Sequence, residues 1–219
     1  MRIWMFRNAA IAILAAWPAM AMAGLSYTAV FLPSNGYSET YATGIASNGQ
    51  IVGYSSGGIN SALLWNNPYS APIDLTPAGY SESGLGCTDG TIQGGYASIG
   101  GQHHPIVWSG SPTDYMDLNP PGFTYSGISG IGGDQEVGNG ASPEMNPLGH
   151  ALLWTGDLSN AIDLNPAGFN YSVARATNGN YQVGSGNFTS DGSSGPTSNT
   201  HALLWSGTSP SAVDLNPPG

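Results

Sequence analysis

Nineteen residues from His150 to Gly168, HALLWTGDLSNAIDLNPAG, return fifty-one residues later as HALLWSGTSPSAVDLNPPG, with twelve positions identical and no gap. Two weaker copies precede them. Apolar runs end in Trp65, Trp108, Trp154 and Trp205, and nine residues after each comes an aspartate followed by leucine, at Asp74, Asp117, Asp163 and Asp214. Five positions further stands a glycine: Gly79, Gly122, Gly168 and Gly219. A chain repeating at this period is bound to build one supersecondary unit several times and to stack the copies.

The spacings say which parts are strands. Taking Gly53, Gly94, Gly138 and Gly184 as the glycines of a recurring Val/Ile-Gly element, the step from each aspartate to the next such glycine is 20, 21 and 21 residues. The step from that glycine to its tryptophan is 12, 14, 16 and 21. Length variation is therefore confined to one connection, because a loop lengthens at small entropic cost while a slipped strand turns its side chains to the wrong face. Four strands per unit follow. The first runs into an Asn-Gly turn such as Asn48-Gly49 or Asn178-Gly179, a hairpin signal. The second is of the type QIVGY, the third is HALLW, and the fourth is AIDL, ended by Asn-Pro because proline cannot donate to a ladder.

In HALLW the residues His201, Leu203 and Trp205 share one face, and Ala202 and Leu204 the other. Both faces are largely apolar, so each thin sheet must be covered on both sides. A β-propeller-like array of four-stranded antiparallel blades meets that requirement, with a β-solenoid as the alternative. A β-sandwich fits less well, since its strands alternate apolar and polar residues. The repeats are expected at about 37–79, 80–122, 123–168 and 169–219. Residues 25–36 read as an extra fourth strand and turn, and four units plus a spare strand suggest an open arc or a piece of a longer array.

The first 23 residues read as a secretory signal peptide: Arg2 and Arg7 precede an apolar run, and Ala21-Met22-Ala23 supplies the small-x-small pattern for cleavage before Gly24. That apolar run is short of the ~20 residues a membrane span needs. After its removal Arg175 is the one Lys or Arg left against thirteen carboxylates. Phosphate backbones and anionic membrane surfaces need clustered cations, so nucleic-acid binding and adsorption to an anionic membrane surface are excluded as functions. No membrane insertion is expected once the signal is cleaved, an uncleaved anchor being the alternative. Cys87 stands alone, so no internal disulfide forms; it reads as a small buried hydrophobe.

The HALLW and DLNPxG phrases resemble the HAF family of bacterial extracellular repeats, over residues 25–219. This chain has Leu152 and Leu203 where that pattern carries phenylalanine, and Asn165 and Asn216 where it carries glycine. The resemblance implies an exported, propeller-like protein and carries over no catalytic residue.

Candidate chemistry is mostly repeated, and repetition argues for structure. His104, His150 and His201 open the third strand of three units, with Ser61 in the other; a ring of metal ligands is the sharp reading and a strand-start hydrogen bond the plain one. Asp74, Asp117, Asp163 and Asp214 supply one carboxylate per unit, not the close pair that acid–base work needs, and read as caps on backbone amides of the following turn. Residues 53–57, GYSSG, match the nucleophile pattern G-x-S-x-G, but no helix follows to form the elbow. The tryptophans read as packing between units. Tyr125 and Tyr171, and Asn187 and Asp191 in or beside the variable loop 187–200, are candidate ligand contacts, because loops on rigid scaffolds carry function.

The expectation is a secreted or cell-surface repeat protein, with the periplasm as the other destination. It acts as a binding or structural module, without catalysis, metal or cofactor, toward an extracellular glycan or a surface protein. The alternatives are a lectin-like binder with repeated pockets and a propeller-scaffold glycan lyase or hydrolase.

Overall fold

The computed structural model describes residues 28–143, 149–156, 160–187 and 200–216. Residues 1–27, which hold the expected signal peptide, and Asp191 in the variable loop lie outside them. The chain divides into two compact units, 1–30 and 31–219. Of the first, residues 28–30 are described; they are exposed and without regular structure.

Every described element of the second unit is a strand, and the strands fall in fours. The first four are β1 (Glu39–Ile45), β2 (Ile51–Ser56), β3 (Ala62–Trp65) and β4 (Ile73–Asp74). Next come β5 (Glu82–Thr88), β6 (Gln93–Ile99), β7 (Gln102–Ser111) and β8 (Asp114–Asp117). The third set is β9 (Tyr125–Gly132), β10 (Gln135–Ala141), β11 (His150–Thr155) and β12 (Ile162–Asp163). The last is β13 (Tyr171–Thr177), β14 (Tyr181–Asn187), β15 (Thr200–Ser206) and β16 (Ala212–Asp214). Within each set consecutive strands pair antiparallel, giving four blades. Blades 2 and 3 are fused into one eight-stranded sheet by a single parallel bridge, His103 to Tyr125.

One row of residues crosses every blade in the same register. In blade 1 it runs Ala42, Gly53, Leu63, Asp74. In blade 2 it runs Leu85, Gly95, Ile106, Asp117. In blades 3 and 4 it runs Ile128, Gly138, Leu152, Asp163 and Ala174, Gly184, Leu203, Asp214. This corrects the sequence reading in blade 2: the equivalent glycine is Gly95, not Gly94. The step from aspartate to glycine is then 21 residues in all three cases. The glycine is required because the inner strand bulges beside it. A Cβ at Gly53, Gly95, Gly138 or Gly184 would lie 1.8, 2.0, 1.8 or 1.9 Å from a carbonyl oxygen of that strand.

After each aspartate the chain turns over Asn-Pro or Thr-Pro. Gly79, Gly122 and Gly168 end those turns with φ of +90°, +86° and +87°, a region a side chain disfavours. The N-terminal stretch departs from expectation here. Residues 28–36 contain a turn at Asn35-Gly36 but no strand. A fourth strand needs a third strand to pair with, and none precedes it among the described residues.

The core lies between blades. Val52, Ala62, Leu64 and Leu75 of blade 1 pack with Leu85, Ala97, Ile106 and Trp108 of blade 2. Val137, Ala151, Leu153 and Leu164 pack in the same way with Ala174, Leu203 and Trp205. Trp65, Trp108, Trp154 and Trp205 are all fully buried. Trp154 Nε1 donates to Leu118 O at 3.2 Å and Trp205 Nε1 to Leu164 O at 2.8 Å, each in the preceding blade. Trp65 of blade 1 donates to Pro33 O at 2.9 Å, with Leu32 and Tyr37 packed around it. Residues 31–37 thus do for Trp65 what the preceding blade's closing turn does for Trp154 and Trp205.

Candidate binding surface

Two groups of polar and aromatic side chains gather at one end of the blades, where first strands begin and third strands start. The outer group is repeated. His104 and His150 Nδ1 lie 2.6 and 2.7 Å from Oδ2 of Asp117 and Asp163, and His201 pairs likewise with Asp214. Each histidine precedes by two the residue that faces the aspartate across the hairpin, so both side chains emerge on one face. The other carboxylate oxygen accepts the amide two residues on: Thr76, Asn119, Asn165 and Asn216. Tyr37 and Tyr80 add hydroxyl donors to Asp74 and Asp117 at 2.8 and 2.9 Å.

In three blades, at Asp74, Asp163 and Asp214, these bonds favour the ionised carboxylate. Burial alone would raise the Asp163 pKa, but the His150 ring and the Asn165 amide outweigh it and hold the group below the usual carboxylate range. The Thr76 hydroxyl and amide, with Tyr37, do the same for Asp74 against its burial. His201 and the Asn216 amide lower Asp214. Among the described residues no three His, Cys, Asp or Glu side chains come together as a metal site. Each histidine is occupied within its own blade.

The inner group draws on three blades, and of its members the sequence reading named Tyr125. Tyr41 and Tyr54 face each other across β1 and β2 with rings stacked at 5.1 Å. In blade 2 the Tyr96 ring stacks on His103 at 4.7 Å and 8°, and His103 lies 5.2 Å from the Tyr125 ring of blade 3. Glu82 Oε1 is 3.4 Å from His103 Nε2 and accepts the Ser98 hydroxyl at 3.1 Å. Gly84 stands where blade 1 has Tyr41, and the Tyr96 ring lies across it; a Cβ there would fall 2.9 Å from the ring. Burial raises the Tyr96 hydroxyl pKa, with the Asn60 side chain and the Glu82 charge as lesser influences, so the phenol stays protonated. An open depression of about 580 Å³ belongs instead to the outer group of blade 2, lined by His104 and Asp117 with Gln102, Asn119, Phe123 and Thr124 among others.

The signal for this cluster was present but out of register. Tyr54 and Tyr96 each follow the row glycine by one, Gly53 and Gly95. Aligning Gly94 in place of Gly95 hid the match.

Of the candidate contacts, Tyr125 joins the cluster and is 45% exposed. Tyr171 pairs in register with Asn187 and joins no ring contact among those described. Asn187 is buried, and its side-chain oxygen accepts the Thr200 hydroxyl at 2.7 Å, so it is committed to the strand pair. Cys87 donates weakly to Gly94 O, and burial pushes its thiol up to about 12, far from thiolate chemistry. The Gly-x-Ser-x-Gly match lies in β2 and the bend after it, with no helix. Among the described residues no helix is long and apolar enough to cross a membrane.

No protein-family model and no curated protein matches the chain. Among solved structures, one assigned to TolB from Agrobacterium tumefaciens superposes with a TM-score of 0.65 at 9% identity. It covers 84% of this chain and 68% of that one. The fold is a β-propeller. Its blades are antiparallel sheets that do not close into a ring among the described residues. The likeness to that solved structure, not the open ends, favours a propeller-like array over a solenoid.

Proposed function

We propose that this chain is an exported, non-catalytic binding module of the HAF-repeat type, and that it holds neutral carbohydrate on the aromatic row of blades 1–3. The observation that carries the reading is the Tyr96–His103 stack, with the tilted Tyr125 ring beside it and Glu82 at its edge. Flat rings bind the C–H faces of sugars, and a carboxylate accepts their hydroxyls. The signal-like residues 1–23 support export to the periplasm or beyond. Glu39 and Glu82 flank the rings, and the described chain carries no lysine. That charge balance disfavours acidic polysaccharides and favours uncharged ones.

A second reading, glycan cleavage, draws on the same cluster, since Glu82, His103 and Tyr96 are the unrepeated polar residues that an enzyme would need at one end of the blades. One calorimetric titration against a panel of neutral oligosaccharides, followed by assay for new reducing ends or unsaturated products, separates the two. Binding without turnover, weakened about tenfold by Tyr96→Ala, supports the module. Turnover supports the enzyme. Binding indifferent to both Tyr96→Ala and Tyr125→Ala sinks the surface itself.

A further inference from the structure

Among the described residues, nothing covers the outer face of blade 4 as the following blade covers the same face of blades 1 to 3. Val183 is 43% exposed, whereas Val52 and Val137 at its position are 0% exposed. Ala202 is exposed and Leu204 half-buried, while Ala62 and Leu64, like Ala151 and Leu153, are buried by the blade that follows. Hydrogen bonds tell the same story. The Ala62 and Ala151 amides donate to Ser83 and Ser172 Oγ of the next blade, both at 2.9 Å. Ser172 and its counterpart Ser126 hand their own protons to Asn165 and Asn119. At blade 4 no such serine is found among the described residues, and the two groups it would bridge close on each other: the Ala202 amide donates to Asn216 Oδ1 at 3.1 Å.

The three internal junctions specify the surface that fits there, and blade 1 presents one. Thr40 occupies the place of Ser83, Ser126 and Ser172, two residues before the row position, and offers the same hydroxyl. Ile45 occupies the place of Thr88 and Thr177, whose hydroxyls reach Gln50 and Gln135 of the preceding blade. It is 71% exposed. The residue it would meet on blade 4 is Tyr181, 51% exposed, beside a depression of about 260 Å³ lined by Thr177, Tyr181 and Val183. An apolar pair at this point has a precedent within the chain: at the junction of blades 2 and 3, Ile92 and Ile131 hold those positions.

We propose that blade 4 of one molecule receives blade 1 of a second copy, head to tail, as a fourth junction of the internal kind. Val183, Ala202 and Leu204 of the first molecule pack on Ala42 and Ile45 of the second, and Thr40 takes the Ala202 amide. Leu32 and Pro33 keep their seat on Trp65 of the incoming copy. Such a heterologous contact propagates unless rotation closes it.

Sedimentation analysis of the purified chain from micromolar to millimolar concentration tests this. Association should rise with concentration in the native protein, and Ile45→Glu or Val183→Glu alone should each weaken it at least tenfold. Both positions are exposed, so the variants fold, which circular dichroism checks. Mixing the two variants should restore dimers and nothing larger, because one native face survives on each. A monomer throughout the range overturns the proposal. So does Ile45→Glu that still associates alone, which would mean blade 4 meeting blade 4, or a mixture that stays monomeric.

Discussion

Three of the four core indoles reach a carbonyl in the segment before their own blade, and the fourth finds none. Trp108 Nε1 is buried without an acceptor, while its counterparts bond to Pro33, Leu118 and Leu164. Replacing Trp154 by phenylalanine therefore removes packing volume and strands a carbonyl; replacing Trp108 removes the same volume but also an unsatisfied donor. Since a buried unpaired group costs ~1–3 kcal/mol, Trp108→Phe should be milder than Trp154→Phe by about 1–2 kcal/mol in urea unfolding. Equal losses would mean that the orphaned donor carries no penalty.

The aspartates make a pH prediction of definite sign. Asp74, Asp163 and Asp214 have native pKa values below the ordinary value of about 3.9. In the unfolded chain they take up protons at a higher pH than in the native one, so their stabilising effect is complete above that ordinary value. It is lost as pH falls through the native values. Thermal melts from pH 5 to pH 2 should fall, and Asp163→Asn should flatten the decline; an unchanged slope would count against it. These residues were legible from their repetition. Their pairing was not, although the constant thirteen-residue step from histidine to aspartate would have placed the two on one face of a hairpin.

At the level of strands, register was readable wherever one glycine marked it and failed where two stood together. Nothing local distinguishes Gly94 from Gly95; only the bulge in β5, between Leu85 and Cys87, decides. The row glycine should be the least replaceable residue of its blade. In Gly138→Ala the Cβ would fall 1.8 Å from Gly127 O, backbone that cannot step aside. A loss of roughly 3 kcal/mol or more is expected from denaturant unfolding, against a far smaller effect for alanine at Gly58, where the added carbon meets nothing.

The junctions also differ in a way no local pattern announces. Gln93 and Gln182 donate across the first and third junctions to Gln50 and Gln135, at 3.0 and 2.7 Å. At the second junction Ile92 stands in the glutamine's place, and Glu136 Oε2 is buried with no partner. Burial raises that carboxyl's pKa, with Asp134 and Asp89 adding to the shift. The native state therefore holds its proton more tightly, and this group's contribution is lost as pH rises above the ordinary glutamate range. Glu136→Gln should raise the melting temperature at pH 7 by roughly 2–4 °C, the equivalent of about 1 kcal/mol in a domain of this size. No change, or a fall, would show that the carboxylate has solvent or a partner there.

For the molecule as a whole, fold class and blade number were legible because they depend on spacing, which tertiary context does not alter. The aromatic row was legible only at Tyr125, because the Gly94 register hid the match of Tyr54 with Tyr96 and the contacts are assembled from three blades. The exposed faces of blades 1 and 4 were equally hidden: Ile45 and Val183 look like any core residue until their neighbours are counted.

The lone bridge from His103 to Tyr125 has a mechanical corollary. It stitches two blades into one hydrogen-bonded plank, while the outer two are held to it only by side chains and a few lateral bonds. Under tension applied at its ends, the protein should shed blades 1 and 4 first, leaving the central pair to yield last as a single event of about twice the contour length.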